Sequence, residues 1–138
     1  MIALLKGNVA AIQNDSLIVD VNGVGYLVFV PLSVRDEATL EEPATFYITT
    51  VVREDAITLY GFSTTNQREA FETLRSVNKV GPKLALTILG HLDLPLLASA
   101  VERNDIITLS KMRRQLNNIT LVIKRQIRNV TVELIVAI

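Results

Sequence analysis

The chain changes its hydrophobic period once, near residue 62, and that switch restricts the fold more than any other feature. Up to that point apolar and polar residues alternate as in half-buried strands, over 2–11, 17–21, 24–30, 44–52 and 57–62. Beyond it, apolar side chains recur at helical spacing, beginning with Ala70, Phe71, Leu74 and Val77. The fold class is therefore α+β, an all-β half followed by an all-α half, with domains expected over 1–63 and 64–138. Five short strands suit a small barrel. Asn22-Gly23 between two alternating runs predicts a tight hairpin turn, and Gly25 is expected to mark a bulge or bend just after it. Helix α-type starts are signalled by Thr64 with Gln67, or Asn66 with Glu69, as a capping pair, by Pro82, and by Asp93 and Asp105 as N-caps. These predict helices to about Val77, over 82–90, over 93–102 and over 105–112. The segment from Ile119 to Ile138 keeps helical spacing and is read as a helix, although its abundance of Ile, Val and Thr also suits a strand. It ends without a stop signal, which predicts that the natural chain continues.

At 138 residues and 49% hydrophobic content the chain can bury a core, as one domain or two small ones. It contains no cysteine, which excludes disulfide frameworks, thiolate zinc sites and thiol nucleophiles. No basic segment followed by a long apolar run opens the sequence, and no run reaches membrane-spanning length, so a cytoplasmic location without membrane contact is expected. His91 is the single histidine, so an all-histidine metal cluster is impossible. No nucleophile elbow, Walker phosphate loop or zinc-protease helix occurs, and neither an enzyme nor a cofactor is expected.

Residues 74–89 carry the strongest chemical signal. Leu74, Val77, Val80, Leu84, Ala85, Ile88 and Leu89 fall where two short helices would close on each other across a tight turn. In that turn Gly81 allows close approach by another backbone, and Pro82 occupies a first helical position where its missing N–H costs nothing. The amides of Gly81, Lys83 and Leu84 would be left facing outward with the helix dipole behind them, an arrangement suited to phosphate, and Lys83 adds a positive charge. The plainer alternative is a helical turn inside a core. Net charge is zero, but six basic residues follow from position 111 (Lys111, Arg113, Arg114, Lys124, Arg125, Arg128) against one acid, Glu133. That asymmetry suits either a phosphate-facing surface or a solvated basic face.

Together, the Met1-Ile2 start with Gly7, the run Asp20-Val-Asn-Gly-Val-Gly-Tyr26, the run Val51-Val-Arg-Glu-Asp-Ala56 with Leu59-Tyr-Gly-Phe62, and Val80-Gly-Pro-Lys-Leu-Ala-Leu86 resemble the RuvA family. That resemblance covers residues 1 to about 112. It implies an oligonucleotide/oligosaccharide-binding (OB) barrel, then a helical domain with two helix-hairpin-helix motifs. It also implies sequence-independent binding of four-way (Holliday) junction DNA, as the scaffold of a branch-migration helicase complex in recombination and repair. The partners implied are further copies of the chain in a tetramer or octamer, the helicase motor RuvB and the resolvase RuvC. The DNA-binding set carried over is Asn78, Lys79, Val80, Gly81, Pro82, Lys83 and Leu84, with Lys111, Arg113 and Arg114 beyond it. Glu54 and Asp55, which alone read as a solvated turn, match an acidic pin at a four-fold centre, and Arg53 beside them would attract flanking backbone. Two departures stand out: Lys79 occupies a position that is usually glycine, and 113–118 lacks the glycines of a second hairpin. The family's third, helicase-binding domain has no counterpart in these residues.

Two other classes remain open. A generic single-strand-binding barrel would stack bases on Tyr26, Phe29, Phe46, Tyr47, Tyr60 and Phe62, but their placement within the alternation reads as packing. An interaction module that has lost DNA binding is the other.

Overall fold

A computed structural model of the chain describes residues 1–76, 80–91, 96, 99, 102–111 and 114. Strands β1 (Leu4–Ile12), β2 (Ser16–Val21) and β3 (Val24–Phe29) come first, followed by helix α1 (Leu32–Glu37). Strands β4 (Pro43–Val52) and β5 (Ile57–Phe62) precede helices α2 (Thr65–Ser76) and α3 (Pro82–His91). Residues 106–111 are also helical. The chain divides into two compact units, Met1–Glu72 and Thr73–Ile138.

In the first unit the five strands form a closed barrel in the order β1-β2-β3-β5-β4, with β1 returning to pair with β4. Four of the pairings are antiparallel, and β3 meets β5 in parallel through Val28 with Leu59 and Phe29 with Tyr60. This is the OB-type architecture expected. Alternation makes it possible: Leu5 and Val9, Leu17 and Val19, Phe46 and Ile48 project to one side of their strands and are buried together with Val28, Val30, Val34 and Leu59. The β2–β3 hairpin turns through Asn22 (φ 51°) and Gly23 (φ 89°), both left-handed, while the Asp20 carboxylate accepts the Gly23 N–H at 2.8 Å.

The irregularity expected at Gly25 lies elsewhere. Gly25 pairs in register with Asp20, whereas β1 is bulged between Val9 and Ala11. A strand that pairs with β2 along one edge and β4 along the other must bend to close the barrel, and an extra residue supplies that bend. Helix α1 was not signalled by periodicity, since six residues are too few to show one. It is held by Val34, which is fully buried, and by Arg35, whose guanidinium donates to the Asn14 carbonyl at 2.7 Å.

Thr64 caps α2. Its hydroxyl accepts the Gln67 N–H at 3.2 Å, and the Gln67 side chain accepts the N–H groups of Ser63 at 2.9 Å and Thr64 at 3.3 Å, which selects the Thr64–Gln67 pair over Asn66–Glu69. Within the first unit Phe71 packs on Phe62 and Tyr60, with ring centroids 4.9 and 5.1 Å apart, and Tyr60 also meets Phe29. Thr49 donates to the Glu72 carboxylate at 3.2 Å. In the second unit α3 buries Ala85, Leu86, Ile88 and Leu89; of the expected set Leu84 is only half-buried, and Leu86 is buried in addition. Asp105 caps the helical residues after it, accepting from the Thr108 amide at 3.2 Å. The expected cap at Asp93, a helix in the tail and a second hairpin over 113–118 lie outside the described residues. No helix among the described residues is long and apolar enough to cross a membrane.

Gly7 sits where β1 crosses β2 so closely that a Cβ would overlap the Asp20 carbonyl, a backbone atom that cannot step aside. Gly7→Ala should therefore lower stability by about 1–3 kcal/mol through forced backbone movement. Urea denaturation of the two proteins checks this.

Candidate nucleic-acid interface

Two exposed features carry the residues singled out in the sequence, one in each unit. The first is the tip of the β4–β5 hairpin. Val52 opposes Ile57, and one step further the Arg53 N–H donates to the Ala56 carbonyl at 2.8 Å, leaving Glu54 and Asp55 as a two-residue tip. Neither acid has positive φ, so the turn needs no glycine and tolerates both carboxylates. Arg53, Glu54, Asp55 and Ala56 are all exposed. The Arg35–Asp36 ion pair does not involve the tip, and neither Glu54 nor Asp55 is neutralised by an ion pair within the protomer. Two adjacent unpaired negative charges on a projecting turn disfavour any phosphate brought near them.

The second feature is the start of α3. The Ala85 N–H donates to the Gly81 carbonyl at 3.0 Å, which makes Gly81 the N-cap and Pro82 the first helical residue. The following amides, those of Lys83 and Leu84, belong to the first turn and have no partner within the helix. Gly81 is exposed without positive φ, and a Cβ built on it would meet nothing within 4 Å. Glycine at this position is thus dictated neither by backbone conformation nor by the protein's own packing; it leaves an open approach to the helix N-terminus. Lys83 is exposed, and Val80, only 6% exposed, anchors the turn from below. Val80 can therefore offer a ligand only its main chain. Lys111 and Arg114 are exposed and helical. Asn78, Lys79 and Arg113 lie outside the described residues.

The aromatic residues are arranged for packing. Phe46 and Phe62 are buried, and Phe29, Tyr60 and Phe62 join Phe71 in one ring cluster, so no row of exposed rings stands ready to stack bases. A concavity of about 380 Å³ beside β1 is lined in part by Glu37 and Glu42, the wrong sign for phosphate. Among the described residues no group of acids and histidines could hold a metal ion.

The sequence of the chain matches the RuvA N terminal domain model over residues 1–61. It is 48% identical over 110 residues to a protein of Trichlorobacter lovleyi, covering 80% of this chain and 55% of that one. The chain belongs to the RuvA family. A relative from Protochlamydia amoebophila is 44% identical over 113 residues, covering 81% of this chain and 56% of its own length. Another from Acinetobacter baumannii is 43% identical over 112 residues, with 81% and 56% covered. Each of the three is named as the Holliday junction branch migration complex subunit RuvA. The chain spans about half the length of these relatives.

In the second unit, local hydrogen bonds lower the pKa of one carboxylate. Thr108 donates to Asp105 from its hydroxyl at 2.7 Å and from its amide, and the nearby Arg103 adds attraction, so the Asp105 carboxyl is held below its ordinary 3.8. A carboxyl whose folded-state pKa is depressed contributes stability above its unfolded pKa and loses it as pH falls toward the folded value. Asp105→Asn keeps a capping oxygen but cannot titrate. Its denaturation midpoint should therefore fall less steeply than that of the wild type as pH is lowered below 3.8, as pH-dependent chemical denaturation would reveal.

Proposed function

We propose that this chain is a non-enzymatic DNA-binding scaffold that recognises four-way junctions by shape and assembles as a homotetramer in a branch-migration complex. The observation that carries the proposal is the open helix N-terminus at Gly81-Pro82-Lys83, in a chain 48% identical to a protein named as the junction branch-migration subunit. The unpaired amides of the first turn, the dipole and the Lys83 ammonium all favour a phosphate oxygen at that place. Main-chain donors read no base edges, so binding of this kind ignores sequence and responds to where backbones run. Lys79 would add a phosphate contact beside the turn, and Lys111, Arg113 and Arg114 would extend the grip along an arm.

Glu54 and Asp55 act in the opposite sense. At the centre of a tetramer, four such tips would gather eight carboxylates, and phosphates would be steered around the axis while the junction is held open. Arg53 would hold the flanking backbone. A domain division near 63, a cytoplasmic setting and recruitment of the motor RuvB and resolvase RuvC belong to the same reading, supported by the family to which the chain belongs. The packed aromatics favour it over a single-strand-binding barrel.

Electrophoretic comparison of a four-way junction, a duplex and a single strand at fixed salt tests the proposal: a clear junction preference is required, and equal binding to all three would refute it. Lys83→Ala should weaken junction binding alike for every arm sequence and reduce the slope of log K against log salt by about 1. The double change of Glu54→Gln with Asp55→Asn should retain or tighten junction binding while disturbing the open form, read by fluorescence transfer between arm ends. Weaker binding would remove the repulsive role.

A further inference from the structure

The β4–β5 hairpin is longer than the barrel it helps to build. Phe46 and Ile48 of β4, and Leu59 of β5, face the barrel core and are buried, and positions spaced by two continue the same face to Val52 and Ile57. Those two side chains have the core-facing parity, yet they are 67% and 71% exposed. They oppose each other in register, and because the next pair toward the tip, Arg53 with Ala56, is hydrogen bonded, Val52 and Ile57 form the non-hydrogen-bonded pair, in which side chains stand closest. A core-type apolar pair thus projects beyond the barrel rim immediately beneath the two tip carboxylates.

Charge narrows what can cover this pair. A phosphate is repelled by Glu54 and Asp55, and although the tetramer proposed above gathers four tips around one axis, direct contact between two of them would press carboxylates of like sign together. A nucleobase is uncharged, has an apolar face for Val52 and Ile57, and on its pairing edge carries at least one N–H, amino or ring imide, that can donate to a carboxylate. We infer that Val52 and Ile57 form an apolar wedge that packs against an unpaired base at the branch point, while the tip acids accept from an N–H on its freed pairing edge. This rests on the junction-binding reading above and deepens it: the tip holds a separated base open by contact in addition to repelling backbone.

The experiment uses the full chain and a four-way junction carrying 2-aminopurine, an adenine analogue that brightens when unstacked, either at the crossover or midway along an arm. Wild-type protein should brighten the crossover probe and leave the arm probe dark. The double variant Val52→Thr with Ile57→Thr keeps β-branched residues suited to a strand and should fold, with circular dichroism and thermal melting like the wild type. Measured at saturating protein, with its own junction affinity determined in parallel, it should lose the brightening at the crossover. Brightening unchanged in the double variant overturns the wedge while leaving junction binding untouched. A change in oligomeric mass by sedimentation with brightening unaffected assigns the pair to a protein contact and likewise overturns it. Failure of the wild type to prefer the junction at all refutes the underlying reading instead. If the double variant melts early, the single changes Val52→Thr and Ile57→Thr, each read for brightening in the same way, decide the question.

Discussion

Barrel closure is the constraint on which the rest of the first unit depends. Strand β1 pairs with β2 and with β4, and the circuit is completed by only two parallel residue pairs between β3 and β5. Every strand then has two neighbours, no edge is left open, and one interior takes all the inward side chains. The bulge in β1 and the close crossing at Gly7 are local consequences of that geometry, because a short strand can serve two partners only by bending and by approaching closely. The same closure decides where the β4–β5 hairpin stops being core. Residues up to Ile48 and Leu59 have an interior to fill, and those beyond have none.

Attraction and repulsion are assigned to different places in this chain, and a net charge of zero conceals the division. Around α3 the favourable field comes mainly from the backbone, from amides the helix leaves unpaired, with Lys83 as an added cation. At the hairpin tip the field is unfavourable to phosphate and comes from two side chains held out by a tight turn. Under the proposed function a basic excess is not required, because main-chain donors would hold the phosphate backbone, and composition alone argues weakly about nucleic acid here.

Much of the fold was legible. Alternation marked all five strands to within two residues at either end, Asn22-Gly23 marked its turn, and Thr64, Pro82 and Asp105 marked helix starts, because each of these signals is local in origin. Helix α1 escaped because one and a half turns are too short for a period to emerge, and its stability comes from the burial of Val34 and the reach of Arg35 to Asn14. Gly25 suggests a bulge, yet the bulge lies in β1, since its cause is the demand of two pairing partners. Of the candidate residues, local pattern singles out Gly81 and Lys83, and only the family resemblance singles out Glu54 and Asp55, whereas Val52 and Ile57 read as ordinary strand residues.

That last contrast marks the boundary between the two sources of information. The amino-acid sequence by itself determined which stretches extend, which coil and which residues cap them, since these follow from interactions a few residues apart. Only the tertiary structure decided which inward-facing positions have an interior to face. Val52 and Ile57 repeat the pattern of Ile48 and Leu59, but burial depends on how far the closed barrel reaches, and strand pairings between residues distant in the chain set that limit.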